Sequence, residues 1–204
     1  MTFTGFRQSD FEIFTIDGLA ERMSGIQEHI QPKFKQIGDE LLDDMSAITG
    51  SEMYLHIAKH ARRTVNPPND TWLAIAGNKR GYKKHPHFQV GLWDDRLFIW
   101  LAFIYELPNK TKIAQNFLNN MEMFEDLPAD FHISLDHMKK DAETLKDIDL
   151  EQALTRFYNV KKAEFLIGKQ LQPTDSVVQN GEELINFIKS VYQQLIPLYR
   201  LAYD

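Results

Sequence analysis

Nine consecutive apolar residues, Leu97 to Tyr105, stand between Arg96 and Glu106. A strand wetted on one face alternates apolar with polar residues, whereas an unbroken run needs cover on both faces. The run is far short of the roughly 20 residues that a membrane-crossing helix requires. It reads as a strand at the centre of a sheet, and the remainder of the chain has to bury it twice.

Other segments supply the sheet. Thr71–Ala76 and His87–Trp93 are strand-like, and in the second Phe88, Val90 and Leu92 alternate with Gln89, Gly91 and Trp93. Asp94-Asp95 predicts a tight turn into the apolar run. Phe131–Met138 and Ala163–Leu171 read as further strands, and 53–58 as a strand or a short helix. The expected sheet has four to six members.

Two long helical stripes supply cover. Leu19, Met23, Ile26, Ile30, Phe34, Ile37, Leu41, Met45 and Ile48 recur at steps of three and four, and so do Leu184, Ile188, Val191, Leu195, Leu198 and Ala202. Pro32 and Pro197 fall inside them and predict a kink in the first and a bend or an end in the second. Ser9-Asp10-Phe11-Glu12 has capping-box spacing, and Asp17 offers a second N-cap. Shorter helices are expected around 113–121 and 150–160. The fold class is α+β, a single domain over 1–204 with an antiparallel-rich sheet packed against N- and C-terminal helices. The stripes are core, and the chain is expected as a monomer or a homodimer.

The chain has no cysteine, which removes disulfides, thiol nucleophiles and cysteine-ligated metal. Met1 to Arg7 lacks a basic region followed by an apolar core, so no signal peptide is expected. A cytoplasmic protein without membrane contact is the expectation.

Charge is segregated. The net charge is −6, yet residues 55–87 hold seven Lys/Arg (Lys59, Arg62, Arg63, Lys79, Arg80, Lys83, Lys84) and one acid, Asp70. That segment is +6, and the other 171 residues carry −12. Four of the seven histidines, His56, His60, His85 and His87, fall there too. Lys79, Arg80, Lys83 and Lys84 surround Gly81-Tyr82 on the tip between two strands, and Arg62 and Arg63 precede the loop Asn66-Pro67-Pro68-Asn69-Asp70. Arginine forks suit phosphate or carboxylate, and an aromatic ring can stack on a base. If the tip extends along the hairpin it lies roughly 20 Å from the proline loop, and only a folded-back tip merges the two clusters.

Motif chemistry is sparse. Gly77-Asn-Lys-Arg-Gly81 is not a Walker A loop, and no Gly-x-Ser-x-Gly occurs. His56 and His60 have the i, i+4 spacing of a helical metal pair but lack a neighbouring acid, and no metal is expected. Asp94 and Asp95 read as turn formers rather than a catalytic pair. Asp70, the lone acid of the basic segment, is a candidate cap, ion-pair partner or base. Trp72, Trp93, Phe98, Trp100 and Phe103 read mainly as core, and the face bearing Gln89, Gly91 and Trp93 packs on helices or lines a pocket.

Several strings are distinctive: Ala58 to Trp72, Asn78 to Lys84, Pro86-His-Phe-Gln89, Gly91-Leu-Trp93, Phe11 to Leu19 and Val160-Lys-Lys-Ala-Glu164. They resemble the YktB-like family of Bacillus-type bacteria over essentially the whole chain. The resemblance implies a cytoplasmic single-domain α+β protein of uncharacterised function, with no catalytic residue to carry over.

The expected function is a binding protein with a basic, anion-recognising surface around 59–87, for a phosphate-bearing ligand or nucleic acid. Its expected ligand-binding residues are Arg62, Arg63, Lys79, Arg80, Tyr82, Lys83, Lys84 and His87. One alternative is an enzyme on a phosphorylated or acidic small molecule, with His60, Asp70 or His87 moving protons. Another is an interaction module for an acidic partner.

Overall fold

In a computed structural model describing residues 3–204, seven strands form one sheet: β1 (Tyr54–Ile57), β2 (Thr71–Ala76), β3 (His87–Leu92), β4 (Leu97–Phe103), β5 (His132–Ser134), β6 (Glu143–Thr144) and β7 (Phe165–Leu171). Their order is β1-β2-β3-β4-β7-β5-β6, and every pairing is antiparallel. β4, cut from the apolar run, is the middle strand and is buried throughout. The count exceeds the expected four to six by β6, whose two residues are too few to show alternation. Residues 53–58 resolve as the strand β1, so His56 and His60 do not form a helical pair.

The helices are α1 (Gln8–Glu12), α2 (Leu19–Gly25), α3 (Gln31–Thr49), α4 (Lys110–Asn119), α5 (Glu122–Glu125), α6 (Leu150–Asn159), α7 (Ser176–Gln179) and α8 (Gly181–Leu201). The kink expected at Pro32 takes the form of a π turn, Ile26–Ile30, immediately before α3. Proline has no N–H to give, so the α pattern cannot run unchanged across it. α8 continues past Pro197 to Leu201. Two cap expectations are corrected. α1 starts at Gln8, and the Asp10 carboxylate accepts from the Arg7 N–H at 2.7 Å, which displaces Ser9 from the cap. α2 is entered through Gly18 at φ 89°, not Asp17, because the chain turns there through a conformation that glycine tolerates.

The sheet's two faces are covered differently. Leu73, Ile75, Phe88, Val90, Ile99, Leu101, Phe165 and Ile167 point to one face and join the main core with Ile30, Phe34, Ile37, Leu41, Leu184, Ile188 and Leu195 of the helical stripes. The Tyr192 hydroxyl crosses this core to donate to the Gln89 carbonyl at 2.9 Å. The opposite face carries a second cluster of Trp93, Phe98, Trp100, Ala102, Ile104 and Leu166, with Trp72 and Ala142 against it. Among the described residues, no helix contributes to that cluster. Three connections cover it instead: 58–70, 77–86 and 135–142. No helix in the described residues is long and apolar enough to cross a membrane.

On the loop-covered face, cross-strand neighbours run Trp72, Gly91, Phe98, Gln170 in one row. A Cβ on Gly91 would sit 2.1 Å from the Phe98 ring, so glycine there is what lets the aromatic lie flat across the sheet.

Candidate functional site

The tip between β2 and β3 folds back. Asn78 starts it with an Asx turn, its side-chain oxygen accepting from the Arg80 N–H at 2.9 Å. A second turn follows, in which the His85 N–H donates to the Tyr82 carbonyl at 2.9 Å. Between them Tyr82 is laid onto the sheet. Its ring meets His87 at 4.9 Å and His56 at 5.5 Å, centroid to centroid. The Trp72 indole N–H donates to its hydroxyl at 3.1 Å. Burial pushes the Tyr82 phenol up to about 12.

The proline loop is clamped from the helical side. Arg22, buried, donates to the carbonyls of Ile16 (2.8 Å) and Pro68 (3.0 Å). Arg63 donates to the carbonyls of Asn66 (3.3 Å) and Pro67 (3.4 Å). His60, at φ 50°, turns its ring so that Nε2 meets Thr71 Oγ1 at 3.0 Å.

Folding back the tip creates two adjoining clefts. The larger, about 700 Å³, has Lys59, Arg80, Lys83 and Lys84 on its walls, with His56, His85 and Tyr82. The smaller, about 380 Å³, is lined by Lys59, His60, Arg62, Arg63, Trp72 and Tyr82. Lys59, Tyr82, Lys83 and Glu106 line both. Glu106 is the one acid on either wall, and its carboxylate lies 3.5 Å from Lys83 Nζ.

The eight expected residues therefore fall into groups. Arg80, Tyr82, Lys83 and Lys84 line the larger cleft; Arg62, Arg63, Tyr82 and Lys83 line the smaller. Lys79 is exposed on the tip and lines neither. His87 is fully buried beneath Tyr82, with no surface to offer a ligand. Its Nδ1–H donates to the His85 carbonyl at 2.8 Å, and its Nε2 accepts from the Gln89 amide at 2.8 Å. That pairing defines a neutral imidazole, and burial drives its pKa down to about 3. His60 is lowered to about 4 by burial, with Arg63 adding to the effect.

Sequence reasoning missed Lys59 and Glu106 as wall residues. Lys59 stood in the charge count without a place, and Glu106 closes the apolar run with no sign that it turns toward the tip. It singled out Asp70 but missed the His137–Glu164 pair that Asp70 lies beside on the same sheet face. His137 is held by Glu164: both its backbone N–H (2.8 Å) and its Nδ1 (2.7 Å) meet Glu164 Oε2. Burial opposes the charged ring, but the bond and charge of Glu164, with Asp70 beyond, outweigh it and raise the His137 pKa. Asp70 is 2% exposed, and its Oδ2 has no hydrogen-bond partner. Burial raises its pKa to about 7 against the pull of His137 and Arg63.

Asp136, His137 and Glu164 bring ligand atoms within 4.8 Å of one another. Glu164 is already engaged, since Oε2 takes both His137 bonds and Oε1 accepts from the Tyr105 N–H at 3.4 Å. His137 and Glu164 serve each other and tie 135–142 to the start of β7 and the end of β4.

A family model described as "Domain of unknown function (DUF1054)" matches residues 6–199. The chain belongs to this family. Among UPF0637 proteins, one from Oceanobacillus iheyensis is 62% identical over 200 residues, covering 98% of this chain and 97% of its own. Others are 59% identical in Shouchella clausii, covering 99% of this chain and 96% of theirs, and 54% in Listeria welshimeri, covering 99% of each. The DUF1054 match thus spans the sheet, both basic clusters and the His137–Glu164 pair as one unit. The YktB-like resemblance read from the sequence falls in this family.

Proposed function

We propose that the protein binds a small phosphate-bearing anion in the larger of the two clefts. The observation that carries this reading is the folded-back tip, which brings Arg80, Lys83 and Lys84 against Lys59 around a Tyr82 ring that is pinned at both ends. A volume near 700 Å³ is that of a small-molecule site and favours a nucleotide-sized ligand over a nucleic-acid strand. Lys59, Arg80, Lys83 and Lys84 supply charge. Tyr82 offers its ring, and its hydroxyl, which accepts from the Trp72 indole N–H, keeps its own proton to donate. Arg62 and Arg63 extend the positive surface into the smaller cleft, and His87 braces Tyr82 from below without touching ligand.

Calorimetric titration with inorganic pyrophosphate tests the reading. Each charge-assisted bond is worth about 1.5–3 kcal/mol, so Arg80→Ala with Lys84→Ala should weaken binding at least about tenfold. Glu106→Gln should strengthen it, because it removes a carboxylate that competes for Lys83. Equal affinity in wild type and both variants would sink the proposal. Loss of affinity with rising salt is expected, since the charges are exposed.

A further inference from the structure

Under Trp72 lies a small, narrow cavity of about 10 Å³, lined by Asp70, His137, Gln89, Ser134, Lys139 and Gln170 among aromatic walls. That volume is about the least that admits one water molecule. Three features converge on it. Asp70 is almost wholly buried and its Oδ2 is unpartnered. His137 spends Nδ1 on Glu164, so Nε2 is the ring's remaining polar atom. Trp72 lines both this cavity and the smaller cleft, and its ring meets His137 edge-on at 6.2 Å.

A buried carboxylate oxygen without a partner carries a desolvation penalty of about 1–3 kcal/mol or more. A water in the cavity relieves it, provided the water finds a second polar partner. We propose that Asp70 and His137 hold one water between them and that the three form a proton relay beside the cleft. The step is self-contained. Imidazolium Nε2–H gives its proton to the water, the water gives a different proton to Asp70 Oδ2, and a neutral imidazole, a water and a carboxylic acid result. Nothing is consumed, and the reverse step restores the ion pair.

The surroundings suit such sharing. Arg63, just before the proline loop, and His137 favour the Asp70 carboxylate, while burial favours its acid form. Glu164 and Asp70 favour imidazolium, while burial and Lys83 from the tip oppose it. Asp136 and Lys139, from the 135–142 connection, also lie beside the pair, as do the titratable rings of His87 and Tyr82. Arg22 holds Pro68 and Asn69, two bonds that position Asp70 from the helical side. Sequence spacing gives no hint of the pair, because Asp70 and His137 come from different connections that meet only over the folded sheet.

The test uses the full chain. A crystal structure that shows ordered solvent should place one water within hydrogen-bond reach of Asp70 Oδ2 and His137 Nε2. The imidazole ¹⁵N shifts of His137, followed through the neutral range, should show its pKa lowered in Asp70→Asn by about one unit, a tenfold change in proton affinity. In His137→Gln, the Asp70 side-chain ¹³C titration should move up. A dry cavity, or titrations unmoved in both variants, would overturn the relay. The two readouts come from opposite partners, so misfolding of one variant leaves the other decisive.

Discussion

His87 shows why a histidine among lysines is ambiguous in sequence. It lies in the basic segment and shares a strand face with Gln89, which suits a ligand contact equally well as a buried brace. The structure makes it a brace, with both ring nitrogens satisfied and no exposed surface. The consequence is a pH dependence. Unfolded His87 and His60 protonate near 6.5, but folded they resist to about 3 and about 4. The unfolded chain therefore binds more protons through that window, and wild-type stability should fall as pH drops below about 6.5. Asp70 acts with the opposite sign. Its folded pKa is about 7 against 3.8 unfolded, so the folded chain binds more protons between those values and loses stability as pH rises through them. Asp70→Asn removes that loss. Its stability relative to wild type should climb between pH 3.8 and about 7 and then level off, read by urea melts across pH.

At the scale of elements, strand order shows what was legible. β2, β3, β4 and β7 were readable because their apolar runs or alternation are long, and their expected ranges nearly match those observed. β6 and the π turn were not, because two residues carry no period and a π turn keeps the helical stripe intact. The site was half legible. Charge marked the tip, but its return over the sheet depends on Tyr82 meeting Trp72, His56 and His87, contacts that no local pattern encodes. Tyr82→Phe should leave the fold intact, cost about 1 kcal/mol in stability, and loosen the tip enough to weaken pyrophosphate binding. In the sheet itself, a Cβ on Gly168 would lie 1.9 Å from the Ile99 carbonyl oxygen, between two central strands that cannot part. Gly168→Ala should cost about 3 kcal/mol or more, seen as a lower denaturation midpoint. Tyr192→Phe removes the hydroxyl bond to the Gln89 carbonyl and should cost about 1 kcal/mol.

Across the whole molecule, net charge and local charge point in opposite directions. A chain of −6 repels polyanions on average while residues 55–87 attract them. Association with an anion should accordingly be steered to one end of the sheet, and its rate should fall with ionic strength more than its lifetime does. The two core clusters divide the labour. The helical side holds the larger apolar mass, with Phe34, Leu41, Leu184 and Leu195 fully buried. The loop side holds the clefts and the Asp70–His137 cavity.

That division has a kinetic counterpart. Segments without helical cover open locally at lower free energy than strands locked between neighbours. Backbone amides of 58–70, 77–86 and 135–142 should therefore exchange with deuterated solvent well before those of β3, β4 and β7. A saturating anion should slow 77–86 most. If so, the molecule breathes on one side only: a stiff wall behind, and in front of it a surface that rearranges without unfolding the rest.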